Sequence, residues 1–209
     1  MKVAIIDYGV GNLRSVEKAF GATGQEAIVT GDKSELRNAE RLVLPGVGAF
    51  ANCMRALSGQ GLVDLLCDRV AAGVPLLGVC VGMQMLFEES DEFGRSPGLG
   101  LLKGRVRRFG DDLVVPQVGW NSIRQRRPHP LFAGIPDNSF CYFVHSYFCE
   151  PTSANAVAGE TEYGSTYPSV VAEGNVCGVQ FHPEKSQAVG LRMLANFATQ
   201  VTGLPIGDV

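Results

Sequence analysis

Val74-Pro75-Leu76-Leu77-Gly78-Val79-Cys80-Val81-Gly82-Met83-Gln84 is the stretch on which the fold turns. Val74–Val79 reads as a short buried strand, and Val81–Glu89 as a helix that starts at once behind it. Upstream, the same alternation repeats. Val3–Asp7, Ala27–Thr30 and Arg41–Leu44 are strand-length apolar runs. Leu13–Ala22, Ala49–Leu57 and Leu62–Ala72 carry apolar residues at helical spacing. Apolar strands alternating with helices predict βαβ units, hence an α/β fold whose open, mostly parallel sheet is flanked by helices.

Downstream the pattern changes. Arg105–Phe109, Trp120–Arg124, Cys141–Phe148, Ala156–Glu162, Ser169–Ala172 and Val176–Phe181 read as strands with little helix between them. They predict an additional mixed or antiparallel sheet region in the second half, closed by a helix over Gln187–Val201. Residues 1–209 are expected to form a single domain, with a tail at Gly203–Val209 that frays.

Eighteen basic against 21 acidic residues leave a formal charge of -3, so nothing marks a nucleic-acid or anionic-membrane surface. The basic stretch Arg124–Arg127 reads as a solvated loop. No apolar run approaches the roughly 18 residues a membrane helix needs. The N-terminal apolar stretch is too short for a secretion signal and reads as a first strand. Six cysteines occur without a CxxC pair, which argues against a zinc ribbon or a redox motif. Free thiols in a reducing, cytoplasmic compartment are expected, most of them packed as small apolar side chains. Neither a metal nor a cofactor is expected.

One cysteine stands in a different setting. Gly78-Val79-Cys80-Val81-Gly82 has the form of a nucleophile elbow with Cys80 as the nucleophile. The strand-to-helix turn strains the backbone at its apex, and side chains at the flanking glycines would collide. The helix N-terminus favours a thiolate and leaves the Val81 N–H free to donate to an oxyanion. A plain buried cysteine beside packing glycines is the simpler alternative. A base must come from His129, His145 or His182. His129 lies between two prolines, as an exposed loop would, and His145 lies in an apolar run, as a structural histidine would. His182 ends the run Val176–Phe181, and Glu184 follows two residues on. In extended chain, residues two apart share a side, so Glu184 can hydrogen-bond His182 and set its tautomer. Pro45-Gly46-Val47-Gly48 is a third strand-end turn, with glycines that let backbone N–H groups approach a ligand. It lacks the lysine of a phosphate loop. In open α/β sheets, such strand ends are where sites form.

Together these segments resemble the class I, triad-type glutamine amidotransferases. The likeness is carried by the elbow through Met83-Gln84, by Pro45-Gly46-Val47-Gly48, and by Gly178-Val179-Gln180-Phe181-His182-Pro183-Glu184-Lys185-Ser186. It runs in order over residues 1–200. The segments Ile6-Asp7-Tyr8-Gly9-x-Gly11-Asn12, Val118-Gly119-Trp120-Asn121 and Tyr142-Phe143-Val144-His145-Ser146-Tyr147 narrow it to the branch that serves histidine biosynthesis.

The resemblance implies a reaction and a partner. Cys80 would attack the side-chain amide of glutamine and form a thioester, with His182 and Glu184 completing the triad. The N–H groups of Val47 and Val81 would hold the oxyanion. Gly48, Gln84 and Glu92, with the backbone at Ser146 and Tyr147, would bind glutamine. The ammonia would pass through a channel to a cyclase subunit, a (β/α)8 barrel joined in a heterodimer, which makes imidazole glycerol phosphate and aminoimidazole carboxamide ribotide. The pattern departs from the common one at Val81, usually Leu, and at Gln117, usually His, which puts an interface role for position 117 in question. Trp120 and Lys185 are interface candidates, against the plainer readings of a core Trp and an exposed Lys. Other readings stay open: a glutaminase subunit feeding a different acceptor, such as a sugar-amidating synthase; a stand-alone hydrolase of γ-glutamyl substrates; and a non-catalytic glutamine-binding module on the same fold.

Overall fold

The computed structural model describes residues 2–202, so the reading of Gly203–Val209 as a fraying tail lies outside the described residues. In chain order the first half is β1 (Val3–Ile6), α1 (Leu13–Ala22), β2 (Ala27–Thr30), α2 (Lys33–Asn38), β3 (Arg41–Gly46), α3 (Phe50–Gly59), α4 (Val63–Ala71), β4 (Leu76–Cys80) and α5 (Val81–Met85). There follow β5 (Phe87–Ser90), β6 (Ser96–Pro97), β7 (Leu102–Arg108), β8 (Gln117–Gln125), β9 (Ser139–His145) and β10 (Tyr147–Pro151). The last elements are β11 (Val157–Tyr163), β12 (Ser165–Glu173), β13 (Val176–Val179) and α6 (Gln187–Thr199).

A nine-stranded sheet runs β2-β1-β3-β4-β13-β12-β11-β8-β9. From β2 to β13 every pairing is parallel, and from β13 to β9 every pairing is antiparallel. Every residue of β1, β3 and β4 is buried, as expected of parallel strands covered on both faces. The covering comes from Val16, Ala19 and Phe20 of α1, Cys53 and Leu57 of α3, and Met193, Leu194 and Phe197 of α6. Arg41 joins β3 to the end of α6, donating from Nε to the Ala198 carbonyl (2.6 Å) and from Nη1 to that of Val201 (2.7 Å). A second, four-stranded sheet runs β10-β7-β5-β6. The α/β class and the mixed region of the second half are both as expected from the sequence.

Four local readings need correction. The expected helix Val81–Glu89 stops after Met85, because the chain beyond it pairs in parallel with β7 and the Met85 carbonyl takes the Leu99 N–H (2.8 Å). The run Cys141–Phe148 is two strands: β9 pairs with β8 in the large sheet and β10 with β7 in the small one, the chain changing sheets at Ser146. The helix α2, not expected, is capped by Asp32, which accepts from the Ser34 and Glu35 amides (2.8 and 2.9 Å). The Arg124–Arg127 stretch is tied down rather than loosely solvated. Arg124 and Arg126 both pair with Glu160, and Arg127 donates to the Ala172 carbonyl (2.7 Å). Among the described residues no helix is long and apolar enough to cross a membrane.

Candidate active site

The elbow forms where β4 meets α5, and its apex is strained. Cys80 has φ 57° and ψ -115°, a conformation that a residue with a Cβ rarely adopts. The flanking glycines are there for contact. A Cβ on Gly78 would lie 2.5 Å from the Gly82 carbonyl oxygen, and one on Gly82 would overlap the Leu44 carbonyl of β3. A Cβ on Gly46 would lie 2.6 Å from the Gly82 amide nitrogen. Thus the Pro45–Gly48 turn and the elbow, two separate motifs in sequence, are the two sides of one backbone contact.

Parallel pairing of β13 with β4, with Val179 opposite Val79, brings both strands to the same sheet end. Cys80 therefore stands beside His182, which follows β13. The imidazole Nδ1 lies 2.9 Å from the Glu184 carboxylate. The expected extended geometry is only partly present: His182 is extended (φ -99°, ψ 99°), but Pro183–Lys185 is a 3-10 turn, so Glu184 reaches its partner by curling back. Two further residues hold this corner. Ser186 Oγ donates to the His182 carbonyl (2.7 Å) and accepts from the Tyr142 amide (3.0 Å), while Asn12 Nδ2 donates to Glu184 (3.5 Å). Burial pulls the His182 pKa down, but its interactions with Cys80 and Glu184 outweigh this and raise it to about 10. With Nδ1–H given to Glu184, Nε2 is the nitrogen left for proton traffic with Cys80.

A cavity of about 350 Å³ opens over this corner, at the small end for small-molecule sites and suited to a free amino acid. Its walls include Val47, Gly48, Cys80, Val81 and His182, together with Gln84, Glu92, Ser146 and Tyr147. Of the catalytic, oxyanion and glutamine-binding residues expected from the sequence, only Glu184 is absent from the lining, since it stands behind His182. Gln84 is fixed by two donations from Nε2, to the Tyr147 carbonyl (3.0 Å) and to Gln180 Oε1 (3.1 Å). Glu92 accepts the Phe50 amide at the start of α3 (2.6 Å); burial nevertheless raises its pKa. Its half-buried carboxylate is suited to a bound ammonium. Val81 opens α5, so its N–H has no helical partner. Pro116, Val144, His145 and Lys185 complete the wall. Among the described residues no His, Cys, Asp or Glu cluster could hold a metal ion.

The remaining candidates sort clearly. His145 is structural, as expected: it is buried, Nδ1 meets the Tyr147 carbonyl (2.8 Å), and Nε2 meets the Tyr167 hydroxyl (3.2 Å). Burial lowers its pKa to about 4. His129 is not in an exposed loop; it is half-buried, and its Nδ1 accepts the Leu131 amide (3.2 Å). Gln117 points inward and accepts from Tyr167 (2.9 Å). Trp120 is not a core residue: it is 47% exposed. Ser186 and Asn12 had no individual signal in the sequence beyond standing inside or beside the quoted motifs.

A strained cysteine at a helix N-terminus, a carboxylate-oriented imidazole beside it and an amino-acid-sized cavity make a site for acyl transfer through a thioester. The chain belongs to the family described as glutamine amidotransferase class-I, whose profile matches residues 4–201. It is 51% identical to the imidazole glycerol phosphate synthase subunit HisH of Symbiobacterium thermophilum, over 97% of this chain and 96% of that one. It is 52% identical to the subunit of the same name from Aromatoleum aromaticum, over 93% and 96%. The fold is shared with a crystal structure of a glutamine amidotransferase (TM-score 0.74, 23% identity, 94% of this chain and 98% of that one). It is shared also with the structure of PurLQS from Thermotoga maritima (TM-score 0.76, 17% identity, 94% and 96%).

Proposed function

We propose that this chain is the glutaminase subunit of imidazole glycerol phosphate synthase in histidine biosynthesis, and that residues 1–209 work as one glutamine amidotransferase domain. The observation that carries the chemistry is the line Cys80–His182–Glu184, with Cys80 and His182 in the cavity wall and Glu184 behind the imidazole. The Cys80 thiolate attacks the side-chain amide carbon of glutamine. The oxyanion that forms is held by the N–H groups of Val81 and Val47. His182, held by Glu184, gives its proton to the leaving nitrogen, and ammonia departs as the thioester forms. A water that loses a proton to His182 then attacks the thioester, and glutamate leaves with the Cys80 thiolate restored. Glu92 accepts the substrate's ammonium group, while Gly48, Gln84 and the backbone at Ser146 and Tyr147 complete the glutamine site.

The ammonia is used by a cyclase subunit with a (β/α)8 barrel fold, docked as the second half of a heterodimer. Ammonia released into neutral water would be protonated and lost, so a closed interface follows from the chemistry. Support for the docking face comes from β8 and the sheet-edge strand β9. Val118 (60% exposed), Trp120 and Phe140 (59%) form an exposed apolar stripe with Tyr142, which pairs with Trp120 across the strands. Lys185, in the cavity wall, lies 5.9 Å over the Tyr142 ring, so the stripe borders the cavity mouth. Such a stripe on a folded chain marks a surface that another molecule covers. The free state of all six cysteines is consistent with a cytoplasmic setting.

The test is glutamate release from glutamine by the chain alone and with the cyclase subunit and its nucleotide substrate, for wild type and Cys80→Ala. We expect the partner to stimulate release and Cys80→Ala to abolish it. Full activity without the partner, unchanged by adding it, would instead identify a stand-alone hydrolase.

A further inference from the structure

The Pro45–Gly48 turn contributes three successive peptides, and the middle one carries the Val47 N–H. The carbonyl before it, Pro45 O, accepts from the Tyr8 hydroxyl at 2.6 Å. The carbonyl after it, Val47 O, accepts from the Cys53 thiol at 3.3 Å. Both donors are fully buried, at 1% and 0% exposure, and neither lines the cavity. Tyr8 follows β1 and Cys53 lies in the first half of α3, so the two anchors come from elements on either side of β3 in the chain. The middle peptide is thus held at both ends, while Gly46 sits against the elbow with no room for a Cβ.

We infer that Tyr8 and Cys53 are positioning residues for turnover: they brace the peptides flanking Gly46–Val47 and so aim the Val47 N–H at the oxyanion. The inference rests on the reading of Val47 as an oxyanion donor. A donor of this kind acts only when it lies about 2.7–3.1 Å from where the charge develops, so a turn that drifts by a fraction of an ångström loses much of its effect. The ground-state carbonyl depends on it less than the transition state does. Loosening an anchor therefore lowers kcat and leaves KM for glutamine in place. A buried tyrosine hydroxyl or thiol that served packing alone would not separate the two constants.

The experiment measures kcat, KM for glutamine and thermal midpoint on the complex with the cyclase subunit and its nucleotide substrate, for Tyr8→Phe, Cys53→Ala and Cys53→Ser. We expect Tyr8→Phe and Cys53→Ala each to lower kcat about tenfold with KM within about twofold, a fraction of the loss from deleting a donor outright. Cys53→Ser keeps a donor and should stay within about threefold of wild type. A kcat within about twofold of wild type in both deletion variants overturns the inference. So does a kcat loss matched by a rise in KM, or one that appears only with a thermal midpoint lowered by more than about 4 °C. Two controls separate this from the reading beneath it. A wild-type complex with no Cys80-dependent glutaminase activity sinks the functional reading itself. Full kcat in Val47→Pro, which removes the N–H, sinks the assignment of the donor; in either case the inference falls with its premise.

Discussion

At the scale of single residues, the site is a set of atoms whose preferences conflict and are overruled by their neighbours. Burial alone would keep His182 neutral, yet Cys80 and Glu184 hold its pKa near 10. Its pKa in the unfolded chain is about 6.5. Between the two values the folded chain binds the proton more tightly than the unfolded one. The contribution is complete below about pH 6.5 and is lost as pH rises through about 10. We expect the difference in thermal midpoint between wild type and His182→Asn to shrink over that range, and a difference that grows with pH would contradict the pairing. Glu184→Gln keeps the shape but not the charge that orients the imidazole. By analogy with other triads it should lower kcat by roughly 10²–10⁴-fold with little change in KM, as read from initial rates in the complex. His145 shows the opposite sign. Burial holds its pKa near 4, so it costs stability as pH falls from about 6.5 toward 4, where the unfolded chain takes the proton and the folded chain does not.

At the scale of elements, the elbow depends on strands that lie far apart in sequence but touch in space. Gly82 has no room for a methyl group because the Leu44 carbonyl of β3 fills it. Gly82→Ala must therefore push β3 away from α5. We expect a loss of about 1–3 kcal/mol, measurable by urea unfolding, together with lost glutaminase activity. The parallel half was legible because strands buried on both faces are unbroken apolar runs, and because the motifs fall at their carboxyl ends. The rest was hidden for specific reasons. Met83 to Phe87 is apolar enough to continue a helix, and only pairing with β7 ends it. Cys141–Phe148 holds no Gly or Pro to announce the change of sheet at Ser146. Alternation in β8 says that Trp120 and Val118 share a face but not whether anything covers that face. The capping signal at Asp32, with Glu35 three residues on, is local and stands in the sequence itself. The anchors Tyr8 and Cys53 acquire meaning only from carbonyls that folding brings to them.

At the scale of the whole molecule, the parallel half of one sheet ends in the cavity, and its antiparallel half carries the exposed stripe of Val118, Trp120 and Phe140 on which the proposed docking rests. Trp120 stands at the centre of that face, paired with Tyr142 at 5.9 Å between ring centroids. Trp120→Ala should weaken binding of the cyclase subunit by about 2 kcal/mol or more, as titration calorimetry would measure, without moving the thermal midpoint of the chain by itself. The same stripe has a consequence for production of the protein. A surface that shows Val118, Trp120 and Phe140 side by side is a template for adhesion to other chains until something shields it. Copies synthesised in excess of their shield would be the ones lost to clumping, so balanced dosage of the two genes, and co-expression in a laboratory host, follows from one exposed stripe.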